Sequence, residues 1–201
     1  VLVSERDRHV IAFGCDPQGD PGVLDPLTIR FSSQESATDW QARANNTAGE
    51  LRIGTGSAII AAVQTKQQVI VFTDRSVSAM QFIGAPFTFG LNQISANTTI
   101  MGPNAAVAVG DAVFWMGRDR FYLYDGQVKA LPCTVRDTVF KDFNNSQGEK
   151  VFAAINTSFG EVTWFYPSSN SSNNNKYVTF NYEQNIWYFG SLGRSCWLDR
   201  G

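Results

Sequence analysis

Val113-Phe114-Trp115-Met116-Gly117-Arg118-Asp119-Arg120-Phe121-Tyr122-Leu123-Tyr124-Asp125-Gly126 is the stretch that decides the fold class of this chain. Its two apolar runs, 113–116 and 121–124, are dense in aromatic and β-branched side chains and too short to make helices. The polar residues between them supply a tight turn, so the segment reads as a β-hairpin. Asp125-Gly126 is a further turn signal, and residues 127–131 then alternate as another strand.

The same pattern recurs on both sides. Residues 69–72 pass through Thr73-Asp74-Arg75-Ser76 into a second β-rich run, 77–82. Residues 162–166 lead through the long polar segment 167–175 to 177–180, and Glu183-Gln184-Asn185 then turns the chain into 186–189. An earlier run, 27–31, precedes them all. The aromatic members Phe31, Phe72, Trp115 and Phe165 lie roughly 40 to 50 residues apart, the period of a propeller blade. A hairpin buries one face only, so each unit needs neighbours to close a core. The expected fold is therefore all-β and β-propeller-like, with about four blade-like units over residues 1–201. It would form a single domain or a segment of a larger propeller. A β-sandwich is the alternative.

One short helix is expected near residue 135. Thr134 can cap it, and Val135, Val139, Phe140 and Phe143 fall on one face. Asn144-Asn145 and Gly148 would end it, and its role would be a plug between two blades.

Composition limits the function classes. The charged fraction is 17%, below the roughly 25% of an average soluble domain, which suits a surface covered by copies or partners. The 15 Phe residues suit packed sheets. Net charge is −2, with no run of Lys or Arg, which argues against tight nucleic-acid binding. No apolar run approaches the length of a membrane span and no targeting signal is visible. Cys15, Cys133 and Cys196 are odd in number and widely spaced, and read as plain thiols in a reducing compartment. The triplets at Asn45, Asn97, Asn144, Asn156 and Asn170 match the glycan-acceptor pattern but arise readily in a chain this rich in Asn, Ser and Thr.

Candidate chemistry is sparse. His9 is the one histidine, so any triad or His-containing metal site would have to use it; at the mouth of a strand it reads as an exposed or capped strand-end residue. Gly54-Thr55-Gly56 lacks the frame of a phosphate-binding loop and reads as a tight turn. Glu35 and Asp39 flank a turn before Trp40, and Asp137 and Asp142 lie on the expected helix; a glycosidase would need two such carboxylates facing across a cleft, which spacing does not establish. The segment 83–90 is apolar where a loop should be polar; it either folds onto the core or forms an interaction surface. The polar segment 167–175 is a solvent loop of the kind on which partners also dock. No catalytic, cofactor-binding or metal-binding residue is assigned, and no enzymatic activity is expected.

Several strings together resemble a known family. They are Asp25-Pro26-Leu27-Thr28-Ile29-Arg30-Phe31-Ser32, Thr38-Asp39-Trp40, Phe72-Thr73-Asp74-Arg75-Ser76 and Met80-Gln81-Phe82-Ile83-Gly84. With them go Gly102-Pro103-Asn104-Ala105-Ala106, Phe114-Trp115-Met116-Gly117, Tyr124-Asp125-Gly126 and Asn181-Tyr182-Glu183. In this order the set resembles the tail hub or nozzle proteins of short-tailed bacteriophages, the tail tubular protein B and phage stabilisation protein type. The resemblance implies a virion structural protein, made in the bacterial host cytoplasm and placed in the tail. It would be a homo-oligomer, a ring of six, contacting the tail adaptor and the fibre or spike proteins. DNA would pass through the ring on ejection without tight binding, and no membrane is involved. Two other readings stand beside it: a carbohydrate-binding or secreted β-propeller module, and a glycosidase using Glu35 or Asp39.

Overall fold

The computed structural model describes residues 1–199. The strands are β1 (Leu2–Ser4), β2 (His9–Cys15), β3 (Asp25–Phe31), β4 (Gly49–Arg52), β5 (Ile59–Gln64), β6 (Val69–Thr73), β7 (Ser76–Gly84), β8 (Thr88–Ala96), β9 (Ala106–Val109), β10 (Ala112–Met116), β11 (Phe121–Tyr124), β12 (Val128–Ala130), β13 (Phe152–Asn156), β14 (Glu161–Tyr166), β15 (Lys176–Asn181) and β16 (Ile186–Ser191). They form four four-stranded sheets, each an antiparallel meander in chain order. The chain is thus all-β and propeller-like, because the up-and-down four-stranded sheet is the blade unit of that architecture. Two compact units divide it, residues 1–98 and residues from 99 onward, with two sheets in each.

In the first unit, β6 is buried along its whole length, so both faces of Val69-Ile70-Val71-Phe72 are apolar and the run does not alternate. β3 behaves differently: Leu27, Ile29 and Phe31 share one face by the two-residue period. Ile11, Ile29 and Phe31 from the first sheet meet Val71, Met80 and Phe89 from the second in one cluster. The β6–β7 turn is fastened by Thr73, whose hydroxyl accepts from the backbone N–H of Ser76 at 2.9 Å.

The second unit is organised by indoles. Trp164 and Trp187 lie near Phe121, each with ring centroids 4.8 Å from it, and Phe180 stacks on Trp187 at 4.6 Å. Each indole N–H reaches a carbonyl: Trp164 donates to Ala105 at 3.0 Å, Trp187 to Pro132 at 2.8 Å, and Trp115 to Thr99 at 3.2 Å. Large rings supply apolar area while their one polar atom stays satisfied.

The expected helix is present as α1 (Arg136–Lys141), but Thr134 does not cap it. Its N-cap is Val135 and no side chain caps it; the backbone N–H of Arg136 instead reaches the carbonyl of Cys133, so the preceding turn replaces the hydroxyl. The helix stops at Lys141, before the asparagines. Asn144 opens a 3-10 segment, Asn145–Lys150, by accepting from the N–H of Ser146. Val139 and Phe143 are buried. Phe140 packs near Phe121 of the third sheet and Phe143 near Tyr166 of the fourth, so the helix fills the junction of these two sheets.

The aromatic spacing also acquires a correction. Phe72, Trp115 and Phe165 stand on second strands of their sheets, whereas Phe31 stands on a third strand. The second strand of the first sheet is His9–Cys15. Long connections over 16–24 and 32–48 lengthen that sheet in sequence and shift its aromatic residue out of phase.

Packing near Gly102 gives a direct test of the second unit. A Cβ there would lie 2.7 Å from the carbonyl oxygen of Gly148 and 3.0 Å from the Cα of Glu149, both backbone atoms. Gly102→Ala is expected to lower stability by about 1–3 kcal/mol, read from the urea midpoint. An unchanged midpoint would mean that the 145–150 segment yields freely.

Candidate functional site

Residues singled out by sequence fall into separate surroundings. His9 opens β2 and is 1% exposed, so of its two readings, exposed or capped strand end, the exposed one is overturned. Its Nδ1 lies 2.7 Å from the carbonyl oxygen of Ser32, and the rings of Phe31, Phe82 and Phe89 surround it at 5.1 to 6.3 Å. Aromatic neighbours tolerate an imidazole that hands one nitrogen to the backbone, so it is a core residue of the first unit. Its Nε2 is buried and has no hydrogen-bond partner.

Gly54-Thr55-Gly56 is a turn, as read. Gly56 has φ +114°, and a Cβ there would strike Thr73 and Asp74. The N–H and hydroxyl of Ser57, which an anion could have used, donate to the two carboxylate oxygens of Asp74 at 2.7 and 2.9 Å. Those bonds hold the Asp74 carboxyl below its ordinary range, the backbone N–H of Ser57 foremost. The four candidate carboxylates lie against basic side chains: Glu35 pairs with Arg8, Asp39 with Arg43, Asp137 with Arg136 and Lys141, and Asp142 with Lys176.

Two surface features remain. The first is the hairpin of β7 and β8. β6 accompanies β7 only as far as the pairing of Val69 with Met80; beyond it, residues 81–84 pair with β8 alone. Segment 83–90 folds onto the core only in part. Phe89 and Thr88 turn into the core, while Ile83 and Phe87 remain 57% and 72% exposed at the tip.

The second feature is a cleft of about 470 Å³ in the second unit. Four stretches build it: Asn104 ahead of β9, residues 149–152 entering β13, Asn173 and Asn174 of the polar loop, and residues 193–195 after β16. The loop is fastened in place. Asn174 Nδ2 donates to the carbonyl of Lys150 at 2.7 Å, Lys150 Nζ donates to the carbonyl of Ser172 at 2.7 Å, and Asn144 Nδ2 donates to that of Ser171 at 2.9 Å. The strap after β16 is held at both ends, by the N–H of Leu192 on the carbonyl of Asn175 and by Trp197 Nε1 on that of Ile155 at 2.7 Å. The sequence reading pointed at the polar loop but not at its partners, because residues so far apart in the chain share no local pattern.

All three cysteines are free. Burial pushes the Cys133 thiol up to about 11 and raises Cys15 as well, against a smaller lowering by the Arg30 backbone. Cys196 is exposed. At pH 8 a thiol with pKa near 11 is only about one thousandth thiolate, so Cys133 should react with an aromatic disulfide at least about a hundredfold more slowly than a free cysteine. Its rate should climb about tenfold per pH unit through pH 10. Mass-spectrometric timing of modification checks this; equal rates at Cys133 and Cys196 would refute it.

No family model matches the sequence, and none of the curated proteins does. Among solved structures, the N-terminal domain of Nup159 shares 8% identity at a TM-score of 0.47, covering 96% of this chain and 43% of that one. The extracellular domain of a one-component system from B. thetaiotaomicron shares 5% identity at a TM-score of 0.46, covering 86% of this chain and 22% of that one. The chain therefore spans less than half the length of either structure. At such identities and scores, neither protein's role is carried over to this chain.

Proposed function

We propose that this chain is a structural subunit of a tail hub or nozzle in a short-tailed bacteriophage, working by assembly with copies of itself and with an adaptor. The observation that carries the proposal beyond the sequence resemblance is the β7–β8 hairpin. It runs past the end of its sheet and holds Ile83 and Phe87 in solvent; Ile83 belongs to the string Met80-Gln81-Phe82-Ile83-Gly84 that contributes to the resemblance, and Phe87 follows it. Large exposed apolar side chains on a projecting hairpin are costly in a lone molecule and suit one that packs against a neighbour. The low charged fraction supports the same reading.

Light scattering of the protein alone and with its candidate adaptor ring tests the proposal. The expected result is a stoichiometric ring, formed alone or only on the adaptor. The double substitution Ile83→Ser and Phe87→Ser should weaken that association at least about tenfold while leaving the melting temperature within about 2 °C, since both side chains are exposed. A monomer under both conditions would overturn the proposal, and an unaffected double variant would remove the hairpin from it.

A further inference from the structure

The cleft of the second unit has a chemistry that the assembly reading does not use. Its volume of about 470 Å³ is within the range of small-molecule sites. Three side-chain amides line it, Asn104, Asn173 and Asn174, together with the hydroxyl of Ser195 and the ring of Phe152. Amides present donors and acceptors side by side, which matches groups that do both, namely hydroxyls. Phe152 is backed by Phe165, stacked at 4.9 Å, so its position is fixed while it contributes apolar surface to the wall.

The charges narrow the class. Lys150 and Arg194 line the cleft and, among the described residues, neither is ion-paired with a carboxylate; Glu149, also in the lining, has no ion pair either. Two cations against one carboxylate leave an excess of one positive charge. Ion pairs such as Arg52 with Asp25 and Lys129 with Asp125 neutralise charge at other places on the surface, whereas the cleft has none among its described lining residues. One ammonium is already oriented, since Lys150 Nζ is held by the carbonyl of Ser172. Asn174, tied to the carbonyl of Lys150 through Nδ2, keeps a buried Oδ1 with no donor. Two cations in one cleft are too few for a nucleic-acid track. A single aromatic ring is too little for an apolar ligand.

We infer that this cleft binds a single acidic sugar residue of the hexuronate type. The carboxylate meets Arg194 and Lys150, the hydroxyls meet the amides of Asn104 and Asn173 and the carboxylate of Glu149, and the apolar ring edge lies against Phe152, while Asn174 holds the wall. A carboxylate to a guanidinium forms a charge-assisted hydrogen bond, roughly twice as strong as a neutral one, which gives preference for the acid over its neutral counterpart. Walls already hydrogen-bonded in place reduce the ordering cost of binding. This site does not depend on the tail reading, and its failure leaves that reading intact.

The test compares methyl glucuronide with methyl glucoside, which differ only in carboxylate against hydroxymethyl, with acetate as the bare carboxylate. Each is titrated into the whole chain by NMR. The glucuronide should shift resonances of residues 149–152, 173–174 and 193–195 saturably, and bind about tenfold more tightly than the glucoside. Acetate should bind more weakly than either the glucuronide or a saturable fit requires. Arg194→Met, an exposed position, should abolish the preference without changing the melting temperature, whereas Arg75→Met should leave it intact. Equal affinity for the two glycosides, acetate matching the glucuronide, shifts confined to other residues, or a preference that survives Arg194→Met would each overturn the assignment.

Discussion

A four-stranded antiparallel meander made of apolar strands cannot hide both of its faces by itself. That constraint governs each unit of this chain. In the first, β6 is buried on both sides, and its core is completed by Ile11, Leu27, Ile29 and Phe31 from the neighbouring sheet, with Ile53 beyond it. In the second, Phe121 of one sheet meets Trp164 and Trp187 of the other. An aliphatic wall serves the first contact and an aromatic one the second. The aromatic solution carries an added requirement, since every buried indole N–H needs an acceptor. Carbonyls just outside strands meet it: that of Pro132 takes the Trp187 indole, and that of Ala105 takes the Trp164 indole as well as the backbone N–H of Met116.

The same requirement explains why the connections are so ordered. The loop between β14 and β15 is polar throughout and would be expected to wander. Instead Asn144, Lys150 and Asn174 tie it to the segment that leads into β13. Asparagine is suited to this work because one side chain can satisfy a backbone carbonyl and a backbone N–H at once. Asn144 does so, donating to Ser171 and accepting from Ser146. A stretch that reads as low-complexity polar sequence is in fact part of a fixed wall.

Local patterns exposed much of the fold, and the reason lies in the strands themselves. Hairpins such as β10–β11 place both strands and their turn within a dozen or so residues, so alternation and turn chemistry are visible together. The first sheet was harder, because its strands are separated by long connections and its aromatic residue occupies another strand. Thr134 misled for a related reason: a hydroxyl before an apolar run resembles a cap, but the backbone at Cys133 was already positioned to do that task. His9 misled because burial of a lone polar residue depends on Phe82 and Phe89, more than seventy residues away in the chain. The cleft could not be read at all from spacing, since its four stretches come together only in the folded unit. The apolar tip at Ile83 and Phe87 was legible, because an apolar loop departs from expectation without any knowledge of its surroundings.

The tip and the cleft imply different kinds of contact. Burying a Phe or an Ile contributes about 1.5–3 kcal/mol each, so Ile83 and Phe87 together supply about 3–6 kcal/mol. Bringing two proteins together costs an estimated 4–15 kcal/mol in lost freedom. The hairpin alone therefore falls short of a stable pair. In a closed ring, each subunit uses two contacts and the last one formed is intramolecular, so weak contacts can hold once the ring closes. On the proposed reading, such a subunit stays separate in solution and assembles where a template gathers its copies. A hexuronate site faces no such shortfall, because it asks only for millimolar recognition by a few charge-assisted and amide hydrogen bonds. Weak recognition of that sort becomes strong when it is repeated around a ring, since linked sites gain avidity without any new contact.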